Sequence, residues 1–298
     1  MVSIIIPCYN YGEYVSEAIE SALAQTYREI EIILVDDGSD DFETIEILKR
    51  WGEHPNIKLI HTEHVGLPSA RNAGINEASG EYIMPLDADN RYAPTYVEKA
   101  VKIAEDNLNA GIVYGDAELF GEQSGPWALP EFSIEQMLMN NVIDAAALFR
   151  KSDWEQVGGY SEQMKYGMED YDLWLSILEL GREIVKIPET LFYYRVHSDS
   201  MVHQLQNNSE HVKYSFECLY RRHSALYQAN ALEHSLELRK RTIDMQAYIK
   251  ALENALSEKN ESTKRINELE LAYEEISNAF FWKITKPFRV ILDWIKTL

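Results

Sequence analysis

Cysteine is scarce in this chain of 298 residues: Cys8 and Cys218 stand far apart. So widely spaced a pair supports neither a disulfide framework nor a thiolate zinc site, and reducing surroundings suit it best. Basic residues are also in deficit, with 28 Lys and Arg against 49 Asp and Glu and a formal net charge of −21. Such a surface repels nucleic-acid phosphates, which argues against a general nucleic-acid binder. Long apolar runs are missing too. No stretch approaches the ~18 uninterrupted apolar residues of a spanning helix. The short run Val2–Ile6 carries neither a basic flank nor an A-x-A cleavage signal. Secretion and transmembrane anchoring are therefore disfavoured, and a cytoplasmic place is expected. Glycine and proline, 14 and 9 in all, vanish between positions 206 and 277.

What is present is globular stock, 46% hydrophobic and 11% aromatic, enough for one large α/β domain or two ordinary ones. From Val2 to about Val196, short β-branched runs alternate with amphipathic stretches. Val2–Ile6, Ile30–Val35, Ile57–His61, Tyr82–Leu86 and Ile112–Tyr114 read as buried strands. Val15–Gln25, Phe42–Trp51, Pro68–Ala78 and Pro94–Asn107 read as helices between them. This alternation predicts a mostly parallel sheet flanked by helices. Ligands of such sheets collect beyond the carboxyl ends of the strands. Here those ends carry Pro7-Cys8-Tyr9-Asn10, Asp36-Asp37-Gly38-Ser39 and Asp87-Ala88-Asp89.

The glycine-free region is rich in Glu, Lys, Arg, Leu and Ala. Met245, Ile249, Leu252, Leu256, Ile266, Leu269, Tyr273, Ile276 and Phe280 recur mostly in steps of three and four, interrupted at Lys259 and Thr263. This predicts a long helix or helical pair, a coiled coil that associates with a second copy, or else a helix folded back on the preceding domain. The last segment, 280–298, combines Phe281, Trp282, Phe288 and Trp294 with Lys283, Lys286, Arg289 and Lys296. Aromatic bulk with basic residues suits an amphipathic segment at a membrane interface, so peripheral contact with the inner face of the plasma membrane is expected; a helix capping the domain or a dimer seam is the alternative. The expected organisation is a catalytic domain over 1–205, a helical region over 206–279 and a basic tail over 280–298.

Two carboxylates one residue apart, Asp87 and Asp89, can share a Mg²⁺ or Mn²⁺ with phosphate oxygens. An isolated D-x-D is commonly a solvated turn; a buried strand just before it makes this one a site candidate. Asp36-Asp37-Gly38-Ser39 suits a plain turn, yet a carboxylate there could accept the imide N–H of a base, and Tyr9 offers an aromatic face. Arg71, near a helix start, suits a pyrophosphate clamp. Glu169-Asp170 opens an apolar helix, where a carboxylate caps the helix or acts as a general base. His197 ends a strand and is a candidate third metal ligand.

Taken in order, Pro7-x-Tyr9-Asn10, Asp36-Asp37-Gly38-Ser39, Ala70-Arg71-Asn72-x-Gly74, Asp87-x-Asp89, Glu169-Asp170 with Trp174, and Arg195-x-His197 closely resemble the family 2 glycosyltransferases of GT-A fold. The resemblance covers about residues 1–200. It implies an inverting, metal-dependent hexosyltransferase with a Rossmann-like sheet, followed here by the helical extension. By that likeness Pro7, Tyr9 and Asp37 hold the base of a nucleotide-diphosphate sugar, with UDP favoured. Arg71 approaches the pyrophosphate, Asp87 and Ala88 lie at the nucleotide sugar, and Asp87, Asp89 and His197 hold Mn²⁺ or Mg²⁺. Asp170 takes the acceptor proton, and Glu169 contacts the acceptor or holds the loop. The implied acceptor is a glycan or lipid-linked molecule of a bacterial surface polymer such as lipopolysaccharide or capsule. Many relatives carry a further acid after the D-x-D, where this chain has Asn90. A sugar-nucleotide pyrophosphorylase would present a glycine- and basic-rich loop after its first strand, which Pro7-Cys8-Tyr9-Asn10-Tyr11-Gly12 does not. A catalytically silent scaffold acting through the helical tail is the reading from another class.

Overall fold

The structure is a computed structural model that describes residues 1–127, 129–197, 200, 205, 207–257 and 271–272, with backbone alone for 253–257. Its sheet begins with β1 (Val2–Cys8), β2 (Ile30–Asp36), β3 (Ile57–His61) and β4 (Tyr82–Pro85). These pair in parallel in the order β3-β2-β1-β4. Every residue of β1 and β4 is buried, which is why their sequences read as continuous apolar runs rather than alternating ones. The chain leaves β1 towards β2 on one side and later returns to β4 on its other side. The strand order therefore reverses at β1, and the crevice beyond the ends of β1 and β4 is the place where such sheets bind ligands.

The helices covering this half follow the expected stripes. Helix α1 (Gly12–Leu23) buries Val15, Ala18, Ile19 and Ala22, one face of a 3.6-residue repeat. Helix α2 (Phe42–Gly52) starts at Asp41, whose carboxylate accepts the Thr44 N–H. Helix α3 (Leu67–Asn76) carries Pro68 in its first turn. At Gly74 a Cβ would stand 2.6 Å from Ile5 Cγ2 and 2.9 Å from Val35 Cγ2. Glycine thus lets α3 lie close over the sheet, and the approach carries Arg71 inward.

Beyond β4 the sheet is mixed. It adds β5 (Arg91–Tyr92), β6 (Ala110–Gly121), β7 (Gly125–Trp127), β8 (Leu148–Arg150) and β9 (Glu183–Val196). The order continues β4-β8-β6-β9-β5, with β7 paired to β6. Strand β8 runs antiparallel to both β4 and β6, β5 runs antiparallel to β9, and β6 and β9 run parallel with register shifts near Gly115. The expected strand Ile112–Tyr114 lies in the first half of the longer β6, and β5, β7 and β8 are too short to show a period in sequence. Helices α4 (Tyr96–Asp106), α6 (Lys151–Val157) and α7 (Glu169–Glu179) belong to this half, with α5 (Ile134–Met137) before α6.

The chain divides into two compact units: Met1–Phe132 with Asn141–Met201, and Ser133–Asn140 with Val202–Leu298. The first unit holds the sheet. Ser133–Asn140, within the stretch 1–205, groups with the second unit. The second unit contains α5 and the helices α8 (Ser209–Arg222), α9 (Ser224–Ala229) and α10 (Ala231–Ser257). The stretch expected as a long helix or helical pair forms these three helices among the described residues, parted at His223 and at Asn230. Asn208 caps α8 by accepting the N–H groups of Glu210 and His211. Leu232, Leu236 and Ile243 are exposed along α10. The stripe from Ile266 to Phe280 and the basic tail 280–298 lie outside the described residues. No described helix is long and apolar enough to cross a membrane.

Candidate active site

The β1, β2 and β3 ends meet around Asp37. Its Oδ1 accepts from the Thr62 hydroxyl at 2.6 Å and the Val65 N–H at 2.8 Å, and its Oδ2 from the Gly66 N–H at 3.0 Å. A carboxylate offers roughly four acceptor positions, so Asp37 holds the β3–α3 loop and keeps room for one further donor. Asp36 accepts the Ser39 N–H and faces the His61 imidazole. Asn10, at φ +55°, donates its backbone N–H to the Ser39 hydroxyl, while its side-chain amide donates to the Asp40 carboxylate and accepts the Asp40 and Asp41 N–H groups, and so ties the β1 turn to the β2 turn. Pro7 is buried within β1, whereas Tyr9 is exposed and its ring lies 4.0 Å from that of His64. His64 was not marked by the sequence; the glycine two residues later, at φ +87°, is the turn signal beside it.

Beyond β4, Asp87 and Asp89 have different surroundings. Ala88 between them is buried in the core, so what it offers a ligand is backbone. Asp87 Oδ1 takes a charged hydrogen bond of 2.5 Å from Arg71 Nη2. Asp89 Oδ2 lies 3.1 Å from His197 Nε2. Burial pushes the Asp89 carboxyl above its ordinary range, and the His197 contact opposes that shift. Asn90 has a defined part here. It is 2% exposed, and its Oδ1 accepts the Arg195 N–H at 2.8 Å. Arg195 Nε in turn donates to the Asp89 carbonyl at 2.9 Å. The end of β9 is thereby registered on the D-x-D turn, which brings His197 to Asp89. An acceptor oxygen is what this position needs, and an amide supplies it without another charge.

Arg71 departs from its expected surroundings. It is 1% exposed, and Nη1 reaches Glu169 Oε1 while Nη2 reaches Asp87. The guanidinium, always charged, thus clamps the end of β4 to the start of α7, reaching a partner 98 positions away in sequence. Its neighbour Asn72 works in parallel: Nδ2 donates to the Tyr160 carbonyl, and Oδ1 accepts the Tyr160 N–H and the Trp154 indole N–H. Consecutive residues of α3 therefore hold the D-x-D turn, the Gly158-Gly159-Tyr160 loop and the start of α7 together.

At that start, Asp170 is half-buried. Burial, then the adjacent Glu169 charge, push its carboxyl up to about 8, against the lowering effect of Arg71. Its Oδ2 accepts from Asn141 Nδ2 at 2.7 Å and its Oδ1 from the Tyr171 N–H at 2.8 Å. Asp144, in the same loop as Asn141, is pushed up to about 7 by burial, with Asp87 and Asp89 adding to the shift. Neither Asn141 nor Asp144 stood out in sequence, where each is a polar residue in a loop. The site is thus rich in acids around one buried cation, and a carboxyl poised near neutrality is suited to accept a proton.

The expected metal set is assembled in part. Asp89 and His197 meet; Asp87 is turned to Arg71, and among the described residues no group of three His, Cys, Asp or Glu is arranged to hold an ion. One carboxylate and one imidazole form a donor set that suits Mn²⁺, or a Mg²⁺ that completes its shell with water and phosphate oxygens. The residues present therefore fit an ion that arrives with a diphosphate.

Residues 3–160 match the family model described as glycosyl transferase family 2. An uncharacterized glycosyltransferase of Rickettsia typhi is 36% identical over 223 residues, covering 70% of this chain and 68% of that protein. A counterpart in Rickettsia felis is 35% identical over 225 residues, but the chain spans 36% of its length. A chondroitin synthase of Pasteurella multocida is 30% identical over 190 residues, 61% of this chain and 19% of that one. Among solved structures, the mannosyltransferase PcManGT from Pyrobaculum calidifontis, in complex with GDP-Man and Mn²⁺, superposes with a TM-score of 0.62 at 18% identity, covering 98% of this chain and 87% of that one. TarS 1–349 of S. aureus, in complex with UDP, gives a TM-score of 0.56 at 19% identity, over 77% of this chain and 73% of that one. At these identities the likeness is one of fold, the GT-A arrangement.

Proposed function

This chain belongs to glycosyl transferase family 2, and we propose that it moves a sugar, with inversion, from a nucleoside-diphosphate donor to an acceptor hydroxyl, UDP being the favoured nucleotide. The observation that supports this most directly is the Arg71 clamp, which joins Asp87 of the D-x-D turn to Glu169 beside the weakly acidic Asp170. The acids that would face a diphosphate and the carboxyl that would take a proton are thereby held against one side chain.

Each group has a part in this reading. Asp170 accepts the proton of the acceptor hydroxyl as its oxygen bonds to the anomeric carbon. The bond from that carbon to the diphosphate oxygen breaks on the opposite face, so inversion follows from a single displacement. Glu169, ion-paired with Arg71, keeps the start of α7 in place. Tyr9 and the remaining acceptor position of Asp37 receive the base. Asp89 and His197 would hold Mn²⁺ or Mg²⁺, which when bound offsets charge on the leaving diphosphate.

A surface glycan is the proposed product, supported by the likeness to a chondroitin synthase. The exposed Leu232, Leu236 and Ile243 support self-association of the helical unit, for which light scattering should show a species larger than one chain. The segment 280–298 is proposed as a peripheral membrane contact; deleting it should release the protein from anionic vesicles. The catalytic reading is tested by screening nucleotide sugars for nucleoside-diphosphate release in the presence of Mn²⁺. Turnover is expected with at least one donor and should disappear in Asp170→Asn; turnover surviving in that variant would overturn the assignment.

A further inference from the structure

The loop before β8 delivers an amide to the proposed base. Asn141 Nδ2 donates to Asp170 Oδ2 at 2.7 Å, while Asn141 Oδ1 accepts the Ile143 N–H at 3.3 Å. The second contact sets which way the amide points. Reversed, it would place an oxygen against the carboxylate and an NH₂ group against an N–H, two repulsive contacts in place of two hydrogen bonds. The other oxygen of Asp170 is held by the Tyr171 N–H. The carboxyl is thus gripped from its own helix and from a loop 29 positions earlier in the chain.

We propose that Asn141 is a positioning residue for Asp170, fixing the orientation of its carboxylate and favouring its ionised form by donating a hydrogen bond. The inference rests on the reading of Asp170 as the proton acceptor. Around that carboxyl stand Glu169 on its own helix, Arg71 from α3, Asp144 from the loop that carries Asn141, and the Tyr160 phenol from the loop after α6. The acids disfavour the charged form of Asp170, and Arg71 favours it. Arg71 is itself engaged with Asp87 and Glu169. A neutral donor directed at Oδ2 stabilises the carboxylate without adding another charge. Removing it makes Asp170 hold its proton more tightly. Since the base acts when ionised, the acidic limb of the rate profile then moves towards higher pH.

The test uses Asn141→Ala, which removes the donor, and Asn141→Asp, which retains an acceptor for the Ile143 N–H but sets a like charge against Asp170. The rate probe is nucleoside-diphosphate release, with Mn²⁺, from whichever of UDP-GlcNAc, UDP-glucose and GDP-mannose the unmodified chain hydrolyses fastest. In Asn141→Ala the acidic limb of kcat should move up by about one pH unit, a roughly tenfold loss below the limb that closes at high pH, with the donor KM unchanged. Asn141→Asp should move it further. Carbon-13 NMR of the aspartate carboxyls in the metal-free protein supplies a second readout, the Asp170 signal being the one that disappears in Asp170→Asn. That signal should titrate at higher pH in both variants. A uniform loss of rate at every pH with the Asp170 titration unmoved would reduce Asn141 to a structural residue, and no change in either would remove it from the site. If Asp170→Asn keeps its turnover, the base assignment falls by itself, while the NMR titration still decides whether Asn141 governs Asp170.

Discussion

Two pairs of adjacent acids, Asp36-Asp37 after β2 and Glu169-Asp170 at the start of α7, look alike as letters. The first pair is surrounded by donors: the Ser39, Val65 and Gly66 N–H groups, the Thr62 hydroxyl and the His61 ring. Its charge is used to organise loops. In the second pair Glu169 shares the Arg71 guanidinium with Asp87, while burial, then the Glu169 charge and Asp144, push the Asp170 carboxyl up to about 8. Buried acids rich in donors become structural fasteners. The acid whose charged form is opposed by burial and by its neighbours, Asp170, is the one proposed to take a proton.

The contrast breaks most sharply at Asp170. Asp170→Asn should lower nucleoside-diphosphate release by about 10²- to 10⁴-fold, the usual weight of a general base, as measured by single-turnover assay. Next in size is Arg71→Met. It leaves Asp87 and Glu169 facing each other without a cation, and a urea titration should show a loss of about 3–5 kcal/mol of stability. On the fastener side, Asp37→Ala strands the Val65 and Gly66 N–H groups and should cost about 1–3 kcal/mol in the same titration, together with a higher KM for the donor. Asn90→Ala removes one acceptor from the Arg195 N–H. A loss of about 1 kcal/mol is expected, with a rise in the Mn²⁺ concentration needed for half-maximal rate.

The last effect concerns pH and has the opposite sign. The folded-state pKa of Asp170 lies above that of an unfolded aspartate, about 3.9. The native state therefore binds more protons than the unfolded chain between about pH 4 and pH 8, and stability falls as pH rises through that window. Asp170→Asn should consequently melt a few degrees higher than the unmodified chain at pH 8 and show no gain at pH 4, read by calorimetry. A gain at both values would mean that the acid is not strained by its neighbours.

The parallel half of the fold was legible because its strands are covered on both faces and its helices carry one buried stripe each. Ile30–Val35 and Phe42–Trp51 fall almost on β2 and α2. The antiparallel additions were not. Strands β5 and β8 span two and three residues, and a period cannot be read over so short a run. Asp87, Asp89, Asp170 and His197 were visible because each ends or begins an element with a clear pattern. Asn141 and Asp144 were not, since their importance comes from what folds against them.

By itself, the sequence determined where the parallel strands and their helices lie and which acids stand at their ends, because both follow from the local spacing of apolar residues. Tertiary structure alone decided that Arg71 joins two carboxylates, that Asn90 holds β9, and that Asp170 receives an amide from a distant loop. The reason is physical: the energy of a charge depends on the few ångströms around it, and those neighbours come from parts of the chain that no local pattern connects.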